Sequence, residues 1–209
     1  FLNRYFHTTS LKSAIELSEI GYENTPKSLA GMDKIALPLI KSDFPNLNIN
    51  ELKGMVESTI ISYFRMLENK EYEDIKYASE AVKSYIKSQV EDVKKHDDVV
   101  YDSIKIHKTV ISKYEKKNGM AVLSFQTSLE YLHKKGQNSL KKIQDRISTE
   151  FIYIIDASEV NYKTKGIGLN CPNCGAPISN LGNKVCEYCG TGVVDLVKYT
   201  WLLNSIKKN

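Results

Sequence analysis

The stretch CPNCGAPISNLGNKVCEYCG, residues 171–190, contains all four cysteines of the 209-residue chain. They form two Cys-x-x-Cys pairs, Cys171 with Cys174 and Cys186 with Cys189. Two short chelating turns that face each other can supply four ligands to a tetrahedral metal ion, and two-residue spacers suit such turns. A glycine follows the second cysteine of each pair and lets the backbone turn tightly. The spacing therefore predicts a zinc ribbon.

Other uses of paired cysteines fit this chain less well. Two disulfides are typical of small secreted proteins, and a redox Cys-x-x-Cys is usually single and opens a helix. An iron site of the rubredoxin type uses similar turns and stays open as an alternative. We expect one structural Zn²⁺, because four thiolates fill its coordination shell and leave no position for water or substrate. Since oxidised thiols do not bind metal, the site also implies a reducing compartment.

Two amphipathic helices are predicted ahead of the strands. Within residues 46–70 apolar residues recur at spacings of three and four, which indicates a helix with one buried face. Asn48 is a suitable N-cap, and Glu51 follows three positions later. A second helix is predicted within residues 71–95. Its apolar stripe consists of Ile75, Ala78, Val82, Tyr85, Ile86, Val90 and Val93.

After His96 the apolar spacing changes to two, which predicts β-strands. Residues 115–119, EKKNG, are predicted to form a hairpin turn, and residues 133–142 a second connection. The predicted strands cover residues 103–110, 121–131 and 147–155, with a fourth inside 193–206 that ends in a short turn or helix. Helices followed by strands indicate an α+β fold, with the ribbon inserted before the last strand of an antiparallel sheet.

The first 42 residues carry a weaker pattern. Leu11, Ala14, Ile15 and Ser18 suggest one short helix. The sequence SLAGMDKIALPLIKSD, residues 28–43, suggests another that is interrupted by Pro38. The chain begins with Phe1 rather than methionine, so we expect a fragment or a processed form.

Positive charge is concentrated in the middle of the chain. Residues 105–146 contain ten lysines and arginines against three acidic residues, a net charge of +7 in a chain whose total is +4. Lys116 and Lys117 lie at the first predicted connection of the sheet. The candidate contacts to an anionic surface lie at the second one: Lys134, Lys135, Lys141, Lys142 and Arg146. Successive connections of a meander lie at opposite ends, so the two groups are not expected to act together. The alternative is that these lysines are simply solvated.

The sequence contains no recognisable catalytic motif: no Gly-x-Ser-x-Gly, P-loop, His-Glu-x-x-His or Gly-x-Gly-x-x-Gly. Titratable candidates for a pocket are scattered, namely His96, His107, His133, Glu150 and Asp156. We therefore expect a non-catalytic protein, with a small-molecule pocket or an enzyme of the same fold as the alternative. Nucleic-acid binding through the ribbon is a further alternative, but only Lys184 lies between the cysteine pairs and aromatics are not interleaved with the basic run.

From about residue 42 the chain resembles the bacterial Tim-forty-four-like domains, relatives of the C-terminal domain of the mitochondrial inner-membrane import-motor tether. The similar segments are SDFPNLNINEL before the first long helix, a meander VVYDSIKIHKTVISKYEKKN, GMAVLSFQTSLEYLHK and RISTEFIYII, and a closing YTWLLNSI. A subgroup of bacterial members carries a zinc ribbon before that last strand, as here. The match covers about residues 42–209.

This resemblance implies a cone-like fold of the nuclear-transport-factor-two and cystatin-like kind, with helices packed on a curved antiparallel sheet of about four strands. The domains would then be an N-terminal helical segment, 1–41, and an α+β domain, 42–209, interrupted by the ribbon at 168–192. It also implies a membrane-associated adaptor or scaffold, linked to protein transport or the cell envelope. Its partner would be a protein, an anionic lipid surface, or both. We expect it at the cytoplasmic face of the membrane, anchored by a segment outside this sequence, or otherwise in the cytoplasm.

Overall fold

The computed structural model describes residues 25–75, 77–96, 99–134, 136, 138–155, 171, 173–176, 185–191 and 201–208. These residues form three helices, α1 (Asp33–Asp43), α2 (Ile49–Asn69) and α3 (Glu80–Lys94). They also form four strands, β1 (Val100–Lys117), β2 (Met120–Lys134), β3 (Lys141–Ile154) and β4 (Leu202–Lys208). The predicted α+β class and the order of helices before strands are confirmed. The helix predicted around residues 11–18 lies outside the described residues.

The four strands form one antiparallel sheet in the order β1-β2-β3-β4. Asn118 and Gly119 alone join β1 to β2, and their φ angles are both positive, 51° and 69°. A two-residue turn of this kind has the twist that paired strands require. The predicted turn over residues 115–119 is therefore too wide, because residues 115–117 already pair with residues 120–122 of β2.

One face of the sheet packs against α2 and α3. The side chain of Asn48 caps α2, because its oxygen accepts the backbone N–H groups of Asn50 and Glu51 at 3.1 and 3.4 Å. Its amide nitrogen donates to the Glu51 carboxylate at 2.8 Å, so the predicted N-cap is confirmed, with Glu51 bonded to the side chain of Asn48. Buried apolar side chains of the two helices and the sheet form one core. Among them are Val56, Ile60, Phe64, Val82, Ile86, Val90, Leu123, Phe125, Leu129, Phe151 and Ile206.

Helix α3 begins later than its apolar stripe suggested. Ser79 caps it, with its hydroxyl 3.4 Å from the backbone N–H of Val82, so Ile75 and Ala78 precede the helix. Residues 77–79 instead lie beside β4, and Ala78 forms a parallel bridge with Leu203. A serine whose hydroxyl accepts a backbone N–H of the first helical turn acts as an N-cap and fixes the residue at which the helix begins.

Helix α1 lies along the free edge of β1 and is continuous through Pro38, so the predicted interruption is wrong. Proline removes one intrahelical hydrogen bond, but tertiary contacts hold both ends of this helix. At its start, the Asp33 carboxylate accepts the backbone N–H of Ile111 at 3.1 Å. At its end, Asp43 accepts from Tyr114 at 2.6 Å, and Lys116 also bonds this carboxylate. The expected boundary between residues 41 and 42 falls inside α1.

Strand β4 closes the other side of the sheet. The predicted fourth strand is present, but within the described residues it continues to Lys208, so the expected terminal turn or helix is wrong. The cysteines lie between β3 and β4 in the sequence, as predicted. The segment that contains the four cysteines thus connects two neighbouring strands of the sheet.

Candidate metal centre

Each Cys-x-x-Cys pair forms the same tight backbone turn. The N–H of Gly175 donates to the carbonyl of Cys171 at 2.8 Å, and the N–H of Cys171 donates to the carbonyl of Ala176 at 2.8 Å. The same two bonds recur around Cys186, at 2.9 and 2.7 Å. Gly175 and Gly190 have φ angles of +70° and +73°, a conformation that favours glycine. The glycine that the sequence places after each pair is therefore required by the turn.

The two turns bring all four cysteine sulfur atoms together. Every pair of Sγ atoms lies within 4.8 Å. Cys171 Sγ is 3.6 Å from Cys189 Sγ, and Cys174 Sγ is 3.7 Å from Cys186 Sγ. Four ligands at the usual zinc–sulfur distance of about 2.3 Å in a tetrahedron have sulfurs about 3.8 Å apart. The four cysteines are therefore arranged as a tetrahedral metal site, as the spacing predicted.

The surroundings of the sulfur atoms favour a bound cation. Hydrogen bonds from the hydroxyl and the backbone amide of Thr191 lower the pKa of the Cys189 thiol to about 6. The Ala176 amide also lowers the pKa of Cys174, but the neighbouring Cys189 thiol and desolvation outweigh it and raise that pKa to about 12. Four thiolates this close together repel one another unless a cation lies between them.

Burial differs between the two cysteines of each pair. Cys171 and Cys186 are buried, whereas Cys174 and Cys189 are exposed. The Tyr188 backbone N–H points at Cys186 Sγ at 3.4 Å, and this kind of contact stabilises a thiolate. A metal ion held by all four sulfur atoms would have no open coordination position.

The predicted anionic-surface contacts lie where β2 leads into β3. Lys134 ends β2 and Lys141 begins β3, and neither makes an ion pair within the described part of the chain. Lys116 and Lys117 lie at the opposite end of β2, roughly 45 Å away along a strand of 15 residues. The two groups therefore cannot act on one small site. Lys135 lies outside the described residues.

Two of the predicted contacts are already engaged within the protein. Lys142 Nζ lies 3.0 Å from the Glu130 carboxylate. Arg146 donates to the backbone carbonyl of Ser28 at 3.2 Å. This leaves Lys134 and Lys141 as the two candidates whose side chains have neither an ion pair nor a hydrogen bond among the described residues, and we call this pair the hairpin lysines.

The titratable residues singled out in the sequence do not form a site. His107 Nε2 lies 3.1 Å from the Gln144 side-chain oxygen and 3.4 Å from Glu130. His133 lies near the Val100 carbonyl at 3.0 Å, on another part of the sheet. Glu150 accepts the side-chain amide of Asn204. Asp156 lies outside the described residues.

A polar cluster that the sequence reading missed lies on the helix-facing side of the sheet. The buried Asp145 carboxylate accepts the Tyr131 hydroxyl at 3.1 Å and pairs with Lys208 Nζ at 3.0 Å. Burial, together with the Asp145 charge, raises the pKa of Tyr131 well above its usual range. Asp145 lies two positions from both Ile143 and Ile147, so the period of two could have placed its side chain on the same, inner face of the sheet.

No protein-family model, curated protein or solved structure matches this chain. Among the helices that the structure describes, none is long and apolar enough to cross a membrane.

Proposed function

We propose that this chain is a non-catalytic adaptor domain in which Zn²⁺ fastens the connection between β3 and β4. The observation that carries the proposal is the closed set of four sulfur ligands, in which the metal can stabilise the fold but cannot reach a substrate. Zinc suits this site because it takes four thiolates in a tetrahedron, and it supplies roughly 10–16 kcal/mol of apparent binding free energy in small zinc peptides.

The surface through which this adaptor meets an anionic membrane is, in this proposal, the hairpin lysines Lys134 and Lys141. Each lysine near an anionic leaflet contributes roughly 1 kcal/mol, so two supply a partition factor of about 30. Such a contact is too weak to hold the domain alone, so it orients a domain that an anchor or a protein partner recruits. The resemblance to the Tim-forty-four-like domains supports the cone-like shape, the membrane-facing location at the cytoplasmic side and the link to protein transport.

Metal analysis of the purified chain tests the identity of the ion. We expect one zinc per chain and no visible colour, and replacement by Co²⁺ should give the absorption bands of a tetrahedral thiolate site. Iron with a red colour would refute the zinc assignment in favour of a rubredoxin-type site. Oxidised thiols without metal would refute the proposed structural metal site altogether.

Vesicle co-sedimentation tests the surface. Wild-type protein should bind phosphatidylserine-containing vesicles weakly at low salt and not at 0.5 M salt, and Lys141→Glu should reduce binding at least threefold. Lys117→Glu, at the opposite end of β2, is the matched control and should bind nearly as wild type. Equal binding by all three proteins, or binding that survives high salt, would contradict a contact through the hairpin lysines.

A further inference from the structure

Strand β4 is an edge strand, and among the described residues only the start of its outer side has a backbone partner. At its start, Leu203 exchanges two hydrogen bonds with the backbone of residues 77–79: the Ser79 N–H donates to its carbonyl and its own N–H donates to Tyr77, both at 2.8 Å. Beyond this bridge, residues 204–208 have no backbone partner on their outer side within the described chain. The unpaired groups of an edge strand are a ready template for a further strand.

A groove runs along this part of β4. Its volume is about 380 Å³, within the range of ligand sites in proteins. The five consecutive residues 204–208 form one wall, and Ala81, Val82 and Tyr85 of α3 form the other. Five strand residues span roughly 17 Å. A long groove bounded by a strand edge on one side fits an extended peptide.

Two features of this groove suit a bound peptide. The side-chain oxygen of Asn204 is buried and accepts no hydrogen bond, although its amide nitrogen donates to Glu150. Buried acceptors are normally hydrogen-bonded, so this oxygen has the capacity to accept a hydrogen bond from a bound partner. Tyr85 is more than one-third exposed on the opposite wall and offers an aromatic surface to an incoming side chain.

The charge of the groove selects the occupant. Lys207 and Lys208 line one end of it, and the Asp145 carboxylate neutralises only Lys208. Lys207 is exposed and has no acidic partner within the described residues. The β4 edge of a second copy has no acidic residue at positions 202–208 to face Lys207, and it would bring its own α3 against this one, so pairing of two β4 edges is disfavoured.

We propose that the outer edge of β4 binds an extended, acidic segment of a partner protein as a fifth strand of the sheet. The segment pairs with the backbone of residues 204–208, fills the groove against α3, and places a carboxylate beside Lys207. This mode of recognition gives affinity through backbone bonds and selectivity through side-chain positions. The inference rests on the adaptor proposal and names the class of partner that the adaptor takes.

The test uses the whole metal-loaded chain and a random nonapeptide library. Selected peptides are synthesised, their Kd values are measured by fluorescence anisotropy, and amide hydrogen exchange is followed in β4. Ala81→Trp fills the groove from an exposed position of α3, and Ser84→Trp adds the same bulk to an exposed position that does not line it. Lys207→Glu reverses the charge of the exposed lysine that lines the groove.

Selected peptides should be acidic, bind Ala81→Trp at least tenfold and Lys207→Glu at least fivefold more weakly, and bind Ser84→Trp within twofold of wild type. Among residues 205–208, the amides that point away from β3 should gain protection when peptide is bound, whereas those that pair with β3 are protected throughout. Selection of neutral or basic peptides, none at all, or peptides insensitive to Ala81→Trp would overturn the proposal. Protection that rises with protein concentration alone would assign the edge to a second copy. Ala81→Trp should leave vesicle binding unchanged, so the two proposals can fail separately.

Discussion

Replacement of Asp33 by alanine should release the start of α1 from the edge of β1. The Asp33 carboxylate makes two tertiary contacts: it accepts the Ile111 backbone N–H at 3.1 Å and pairs with Lys53 at 2.6 Å. Ile111 is fully buried, so its N–H would have no water to replace the lost acceptor. One side chain of α1 thus satisfies an edge-strand donor that would otherwise be unpaired.

The expected destabilisation follows from these contacts. An unsatisfied buried N–H costs about 1–3 kcal/mol. The Lys53 pair is about one-quarter exposed on both sides and adds about 0.5 kcal/mol, and an acidic residue in the first helical turn adds a similar amount. The total is about 3 kcal/mol, or roughly 9 °C in Tm for a chain of this length. Asp33→Asn keeps an acceptor for Ile111 and should cost only about 1 kcal/mol.

Urea unfolding of the metal-loaded chain, followed by circular dichroism, measures these differences. The double variant Asp33→Ala/Lys53→Met should cost little more than Asp33→Ala alone, because the ion pair is the smaller part. Glu68→Ala, at an exposed position of α2, is the control and should lie within 0.5 kcal/mol of wild type. If Asp33→Ala unfolds like this control, or if Asp33→Asn costs as much as Asp33→Ala, the hydrogen bond to β1 does not stabilise the fold as inferred.

Three further outcomes are expected. Gly175→Ala should weaken metal binding about fivefold in a chelator competition, because the residue has a φ of +70°. Gly54→Ala, in open space on α2, should instead raise the free energy of unfolding by about 0.5–1 kcal/mol. If both variants bind metal equally well, the turn does not require glycine at position 175. Hydrogen bonds and charge from Lys116, together with the Tyr114 hydroxyl, lower the pKa of Asp43 below 3.8. The stability that this carboxylate contributes is therefore present above that pH and is lost as the pH falls through the lowered pKa. Asp43→Asn should make the free energy of unfolding less dependent on pH in this acid range. Asp145→Ala should cost about 2 kcal/mol, since it strands the buried Tyr131 hydroxyl while the half-exposed Lys208 turns to water; no loss in urea unfolding would argue against the cluster.

The features that the sequence predicted correctly are those that depend on residues close together in the chain. The spacing of the cysteines predicted the ligand set, since a two-residue spacer and a following glycine define each turn. Asn48 and Glu51 predicted the start of α2, because a cap acts within one turn of helix. The apolar period of two predicted the meander, and the segment EKKNG predicted the place of its first hairpin, although the turn itself is confined to Asn118 and Gly119.

The errors lie where distant segments compete with local preference. The stripe through Ile75 and Ala78 is compatible with a helix, but this stretch instead pairs with Leu203, more than a hundred residues away. Pro38 disfavours a continuous helix, yet contacts at Asp33 and Asp43 hold α1 through it. The basic run was visible as a count, but only the fold shows that Lys142 and Arg146 are engaged elsewhere.

The sequence alone determined the cluster of four cysteines and the α+β class, because cysteine spacing and the period of apolar residues are properties of neighbouring positions. Only the tertiary structure decided that Asp145 is buried beside Tyr131 and Lys208, that α1 lies along the edge of β1, and that a groove lies between β4 and α3. Each of these depends on how the strands are ordered and how the helices lie on the sheet. Such contacts join residues far apart in the chain, and no local pattern encodes them.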